Sequence, residues 1–212
     1  MSSVLVRQLG LQHYEPVWKK MQAFTAQRDQ ATEDEIWLLE HKPVFTQGMN
    51  GKPEHILNQR QIPLVEIDRG GQVTYHGPGQ LIVYCLIDLK RKKIGIRQMV
   101  SGLEQAVIDL LSEQNIKAFA RKDAPGVYVE GAKISALGLR IKKSCSYHGL
   151  SLNVDMDLAP FKDINPCGYE GLAVTQLKDL GVALTLAEVQ EKLLGKVCQQ
   201  FSIDQVTRQH GF

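Results

Sequence analysis

Cysteine is scarce in this 212-residue chain, and no two cysteines form a CxxC pair. Cys85, Cys145, Cys167 and Cys198 lie 60, 22 and 31 residues apart. That spacing disfavours a zinc ribbon or a thioredoxin-like motif. Long apolar runs are also missing. The longest, Leu81 to Ile87, has seven residues, far below the ~18 of a membrane span. The N-terminal segment MSSVLVRQLG has no apolar core of a signal peptide, so the expected compartment is the cytoplasm, where four thiols stay free. No HExxH or comparable ligand spacing occurs, which disfavours a metal. Neither GxxxxGK[ST] nor GxGxxG is present, so no nucleotide cradle is indicated.

Charge of one sign is lacking too. Lys and Arg number 25 against 23 Asp and Glu, which disfavours bulk nucleic-acid binding. The balance hides an asymmetry: Cys85 to Cys145 holds 12 basic and 6 acidic residues. Lys90-Arg91-Lys92-Lys93 lies in that segment. The cluster reads as a solvated turn or as a docking surface for an acidic protein. A chain this long buries about 70% of its unfolded surface and needs no staple. The hydrophobic content of 43% is ordinary for a globular protein.

Periodicity supplies the elements. Tyr14, Val17, Met21 and Phe24 recur at helical steps, with Pro16 in the first turn. Leu103, Val107, Leu110 and Leu111 predict a second helix, stopping near Asn115. A third follows the Thr185/Glu188 capping box, with Leu184 and Val189 as staple. Glu35–Glu40, Leu64–Ile67, Leu81–Leu89 and Tyr147–Val154 read as strands. Gly126–Glu130 and Lys133–Ile141 read as a hairpin. The segments 41–61 and 69–80 read as loops. Without strict βαβ alternation, the expected fold is α+β: a single domain, residues 1–212, with a mixed, mostly antiparallel sheet.

Four features carry chemistry. Arg69 to Gln80 holds four glycines among Arg69, Gln72, Thr74, Tyr75, His76 and Gln80, more polar groups than a hairpin needs. Cys167, between Pro166 and Gly168, is a candidate nucleophile, provided a base or cation lies near; an inert loop thiol is the alternative. Lys133 shares a strand face with Leu137, Leu139 and Ile141. It is either a desolvated general base or a lysine that snorkels to water. His76 and His148 are possible bases too: His76, in the glycine-rich loop, suits a ligand contact, whereas the parity of His148 with Leu150, Leu152 and Val154 slightly favours a core histidine. Cys85 and Cys198 read as structural. Cys145 is the rival thiol, near Lys142 and Lys143, though a solvated strand end accounts for it as well.

Taken together, RGGQVTYHGPGQ (Arg69 to Gln80), GAKISALGLR (Gly131 to Arg140), SYHGLSLNV (Ser146 to Val154) and NPCGYEG (Asn165 to Gly171) resemble the bacterial lipoyl(octanoyl) transferases. EHKPVFTQG and RKDAPGVYV also fit. The resemblance runs from about Val4 to Gly171, with no motif recognised beyond. It implies a fold similar to the catalytic domain of lipoate- and biotin-protein ligases. It implies transfer of octanoyl from octanoyl-acyl carrier protein to lysines of lipoyl domains, in 2-oxoacid dehydrogenase E2 subunits and the glycine cleavage H protein. Cys167 would carry the acyl thioester and Lys133 would act with it. Substrate contacts would fall on Arg69, Gly70, Gly71, Gln72, Val73, Thr74, Tyr75 and His76, on Ala136, Leu137 and Gly138, and on Gly149, Leu150 and Ser151. No cofactor, nucleic acid or membrane is implied, and a monomer is expected. An ATP-dependent lipoate ligase, a cysteine thioesterase and a non-catalytic binding module are the alternatives.

Overall fold

The computed structural model describes residues 2–212, with every side chain among them except that of Cys167. An eight-stranded mixed sheet forms the centre, in the order β11-β1-β2-β6-β10-β9-β8-β7. The strands are β1 (Ser3–Gln12), β2 (Glu35–His41), β6 (Gln80–Leu86), β7 (Phe119–Ala120), β8 (Gly126–Val129), β9 (Ala132–Lys142), β10 (Cys145–Asn153) and β11 (Gln205–His210). The two ladders on β1 are parallel and the remaining five are antiparallel. A second sheet holds β3 (Val44–Gln47) between β4 (Leu64–Glu66) and β5 (Val73–His76).

Helices cover both faces of the large sheet. On one side lie α3 (Ile96–Glu113) and α4 (Leu186–Gln200). Their apolar faces, including Leu103, Val107, Leu110, Val189 and Leu193, close the main core against Leu81, Val83, Leu150 and Leu152. On the other, α1 (Tyr14–Gln27) places Val17 and Met21 against Trp37, Ile82, Tyr84 and Tyr147. Thr185 caps α4 as the sequence predicts, its Oγ1 accepting from Glu188 N–H.

Two expected loops contain strands. Val44–Gln47 is buried throughout and pairs with Val73–His76. Four residues between Pro43 and Gly48 are too few to show a period of two, and Gly and Pro on either side mask the signal. β1 and β11 were likewise not expected. β11 is exposed along its length, so no apolar alternation marks it.

The basic cluster is partly structural. Leu89–Lys92 forms a short helix, α2, capped by Asp88. Arg91 donates to Asp34 at 2.6 Å and to Thr32 O at 2.9 Å. Lys92 donates to Ser2 Oγ and, at 3.0 Å, to Phe201 O. The cluster also lies at the Cys145 end of the sheet, where Asp88 bridges to Cys145. Lys133 is at the other end of β9, nine residues from Lys142, or about 30 Å at ~3.3 Å per residue.

Asp34 is the hub of that end. It is 3% exposed and accepts from Arg28 at 2.7 Å, Arg91 at 2.6 Å and Asp88 N–H at 2.8 Å. Asp34→Ala leaves the buried Arg28 without its carboxylate. Urea unfolding should show a loss of about 3–5 kcal/mol, against less than about 0.5 kcal/mol for Lys90→Ala on the surface. Equal stabilities for the two variants would contradict this reading.

Candidate active site

A narrow cleft opens between the two sheets. The small sheet supplies one wall, from Arg69, Gly71, Gln72, Val73, Thr74 and His76. β9 and β10 supply the other, from Ala136 to Gly138 and from Gly149 to Ser151. Twelve of the fourteen expected substrate contacts thus converge, although they lie up to 82 residues apart. Two do not. Tyr75 alternates to the opposite face of β5, where its ring packs 5.6 Å from Phe45 and 5.5 Å from Phe161. Gly70 faces backbone, donating to Leu139 O at 3.1 Å.

Arg69 is buried and fastens the wall. It donates to Thr46 O at 2.8 Å, Thr46 Oγ1 at 3.0 Å and Gly70 O at 2.9 Å. Glu40 holds the far end of the glycine-rich segment, accepting from Gly79 N–H at 2.6 Å. Gln80 bridges His76 and Asn153 at 2.7 and 2.9 Å.

The cleft floor is aromatic and polar. Tyr14, Tyr84 and His148 line it, together with Ile82; of these the sequence singles out only His148, as a possible base or a core residue. They come from α1, β6 and β10, where a buried aromatic looks like any other core position. Behind them His41 pairs with Tyr84 at 2.8 Å, and Tyr14 stacks on His76 at 5.8 Å. His148 is the one with a backbone signal: φ is 60° within a strand, a left-handed state rare for a non-glycine residue and concentrated at functional sites. Its Nε2 lies 3.4 Å from Asp68 Oδ1, while its Nδ1 faces no partner among the described residues.

Titration follows from burial. His76 is pushed down to about 3 by burial and by neighbouring His41, and His41 down to about 4 by burial. His148 is lowered by burial despite Asp68. All three are neutral at pH 7. Burial opposes ionisation of Asp68, but hydrogen bonds from His148, Tyr147, Trp18 and Gln22 hold its carboxyl well below the usual range. Burial pushes Cys85 up to about 12 and raises Cys145 and Cys198. Cys145 is buried, its Sγ directed at Lys143 O, and Lys143 donates instead to Ala26 O. It is therefore neither solvated nor activated, and the rivalry with Cys167 falls away.

Lys133 does not snorkel. It is 4% exposed; its Nζ donates to Pro125 O at 3.1 Å and lies 5.2 Å from the Tyr128 ring centroid. The β8–β9 ladder shifts register opposite it, between Val127 and Tyr128, as bulges beside functional residues do. Its backbone clasps the segment that follows Cys167. Lys133 N–H donates to Ala173 O at 2.8 Å, and Thr175 N–H donates to Lys133 O at 2.9 Å. Upstream, Asn165 N–H donates to His55 O at 2.8 Å. Tyr169 Oη reaches Asp123 Oδ2 at 3.3 Å, beside Pro125. Cys167 sits in the 3₁₀ turn Pro166–Gly168 within this clasped segment; its side chain lies outside the described ones. The turn packs on β5 through Gly168. With φ of +77°, a Cβ there would approach Gln72 Nε2 to 2.6 Å, so glycine is required.

The site thus sets a buried amine and a thiol-bearing turn beside a partly apolar cleft, parts suited to nucleophilic transfer of an apolar acyl group. The chain matches the family model for the lipoyl protein ligase A/B catalytic domain over residues 13–198. A Chromobacterium violaceum protein named octanoyltransferase is 59% identical over 203 residues, covering 96% of this chain and 98% of that one. A Shewanella halifaxensis protein of the same name is 55% identical over 206 residues, covering 97% and 94%. A structure of lipoate-protein ligase A bound with ATP is similar in fold, with TM-score 0.81 at 15% identity, covering 100% of this chain and 90% of that one. The similarity therefore continues past Gly171, where no motif was recognised.

The neutral histidines set a pH dependence. Their protonation is suppressed in the fold, so the unfolded chain binds more protons below its histidine pKa of about 6.5. Stability is full above that pH and falls as pH drops toward 4. At pH 5, His41 and His76 each remove about 2 kcal/mol. A Tm that stays flat from pH 7 to pH 5 would contradict the neutral assignment.

Proposed function

Because the chain belongs to the lipoyl protein ligase A/B catalytic-domain family, we propose that it works as one catalytic domain in the cytoplasm. It transfers an octanoyl group from octanoyl-acyl carrier protein to the target lysine of lipoyl domains, through a thioester on Cys167. The observation that carries the reading is the clasp: a buried lysine whose own backbone hydrogen-bonds Ala173 and Thr175, shortly after the turn that bears Cys167.

The first half-reaction moves the acyl group onto the enzyme. Lys133 accepts the Cys167 proton, and the thiolate attacks the donor thioester carbonyl. The carrier thiolate leaves with the proton returned by Lys133. In the second half, Lys133 assists loss of a proton from the incoming lysine amine. That amine attacks the acyl-cysteine and releases the Cys167 thiol. Both substrates of the first step are thioester and thiol, so acyl storage is nearly isoenergetic, and amide formation then runs downhill without ATP.

The tetrahedral intermediates need donors for the oxyanion. Gly168 N–H and Tyr169 N–H already donate to Asn165 O and Pro166 O, so these two amides do not serve. The Gln72 amide, seated against Gly168, is the nearer candidate. The octanoyl chain lies in the cleft along Val73, Ile82, Leu137 and Leu150, with about 0.8 kcal/mol gained per buried CH₂.

Turnover with octanoyl-carrier protein and a lipoyl domain should proceed without ATP. It should vanish in Cys167→Ser and fall by about 10²–10⁴ in Lys133→Met, the usual range for a lost general base. Full turnover in Cys167→Ser excludes the covalent route. Activity on free octanoate that requires ATP indicates a ligase. Release of octanoate with the acceptor unlabelled indicates a thioesterase.

A further inference from the structure

Glu104 is out of place in α3. Val107 and Leu111, further along the same helix stripe, are fully buried, and Glu104 itself is 9% exposed. Its Oε1 accepts from Gly126 N–H at 2.9 Å. That N–H belongs to the Pro125–Gly126 peptide group, whose carbonyl oxygen accepts from Lys133 Nζ at 3.1 Å. One peptide group therefore joins a buried carboxylate to a buried lysine: the carboxylate holds its N–H end and the amine its C=O end. Each bond polarises the peptide in the sense that strengthens the other.

Gly126 makes the arrangement possible. With φ of +145°, a Cβ there would lie 2.9 Å from Lys133 Cε and 3.1 Å from Lys133 Nζ. The Lys133 stem thus packs directly on this peptide. Burial raises the pKa of Glu104, whereas the Gly126 hydrogen bond and the charge of Lys133 lower it. The two groups therefore act on each other through space as well.

We propose that Glu104 is a positioning residue that acts through Lys133, the Pro125–Gly126 peptide coupling its charge to the lysine amine and fixing where that amine sits. The amine's place and its charged partner are thus both set from behind the cleft. The catalytic consequence rests on the role proposed above for Lys133; the electrostatic coupling does not.

The other groups around the pair are accounted for. Tyr128 of β8 lies under Lys133. Arg121 and Asp123 pair at 2.5 Å beside Tyr169, on the loops above. Pro166, at the start of the Cys167 turn, lines the same pocket as Lys133. On α4, Lys192 and Lys196 are engaged by Glu113, two turns or more from Glu104.

The test reads ionisation rather than turnover. In full-length protein labelled with ¹³C at lysine Cε, the Lys133 resonance is assigned by its loss in Lys133→Met. Glu104→Gln keeps an acceptor for Gly126 N–H and removes the charge, so the Lys133 midpoint should fall by one pH unit or more, a tenfold loss of proton affinity. A merely structural Glu104 would leave it in place, and an unchanged midpoint overturns the proposal. Coupling is reciprocal, so the Glu104 carboxyl in Lys133→Met should titrate higher by the same amount. That second titration decides the matter if Glu104→Gln does not fold, and an unmoved Glu104 midpoint overturns the proposal equally. Neither titration depends on whether Lys133 serves in acyl transfer, so failure of the coupling and failure of the catalytic role are told apart.

Discussion

A lysine amine taken out of water needs hydrogen-bond acceptors and compensating charge wherever it comes to rest, and Lys133 finds them at one end of the central sheet. Its burial organises the surroundings. The amine takes the Pro125 carbonyl, the ring of Tyr128 lies beneath it, and its peptide group clasps Ala173 and Thr175 on the far side of the NPCG segment. With Asn165 N–H bound to His55 O upstream, the segment that carries the turn is tied at both ends. The amine and the segment after the turn thus meet at one residue, the kind of fixed placement the proposed pair needs.

The cleft beside them is built by a different device. A small three-stranded sheet leans on the large one, and Arg69 pins its glycine-rich segment from inside. The apolar wall suits a hydrocarbon chain. The floor is a set of neutral histidines and tyrosines paired with one another, with Asp68 collecting hydrogen bonds from Trp18, Gln22 and Tyr147. Neutrality lets these polar groups sit deep without an unpaired charge.

Much of this was legible in the sequence, and for identifiable reasons. The helices carry long apolar periodicity and, in α4, a complete capping box. The hairpin β8–β9 and the buried strand β6 are marked by apolar runs between turn residues. The site motifs are local in sequence, so twelve of the expected contacts reach the cleft. What stayed hidden depends on tertiary placement. β3 and β5 are four residues each, shorter than a period can reveal. β11 is exposed on both faces. Tyr14, Tyr84 and His148 look like core residues until the cleft is formed around them. Arg91 and Lys92 read as a solvated charge run because nothing local shows Asp34 and Phe201 waiting for them. Glu104 left only a faint trace, an acid on an apolar helix face, which gains meaning once Gly126 and Lys133 are beside it.

Covalent storage of the acyl group on Cys167 is the central claim, and it is tested most directly without any acceptor present. The enzyme is mixed with octanoyl-acyl carrier protein alone, and its intact mass and modified peptide are determined. The account predicts one octanoyl group per chain, mapped to Cys167, formed without ATP and discharged on adding a lipoyl domain. An unmodified enzyme that nevertheless turns over when both protein substrates are present would contradict it, as would an octanoyl group mapped to any other residue.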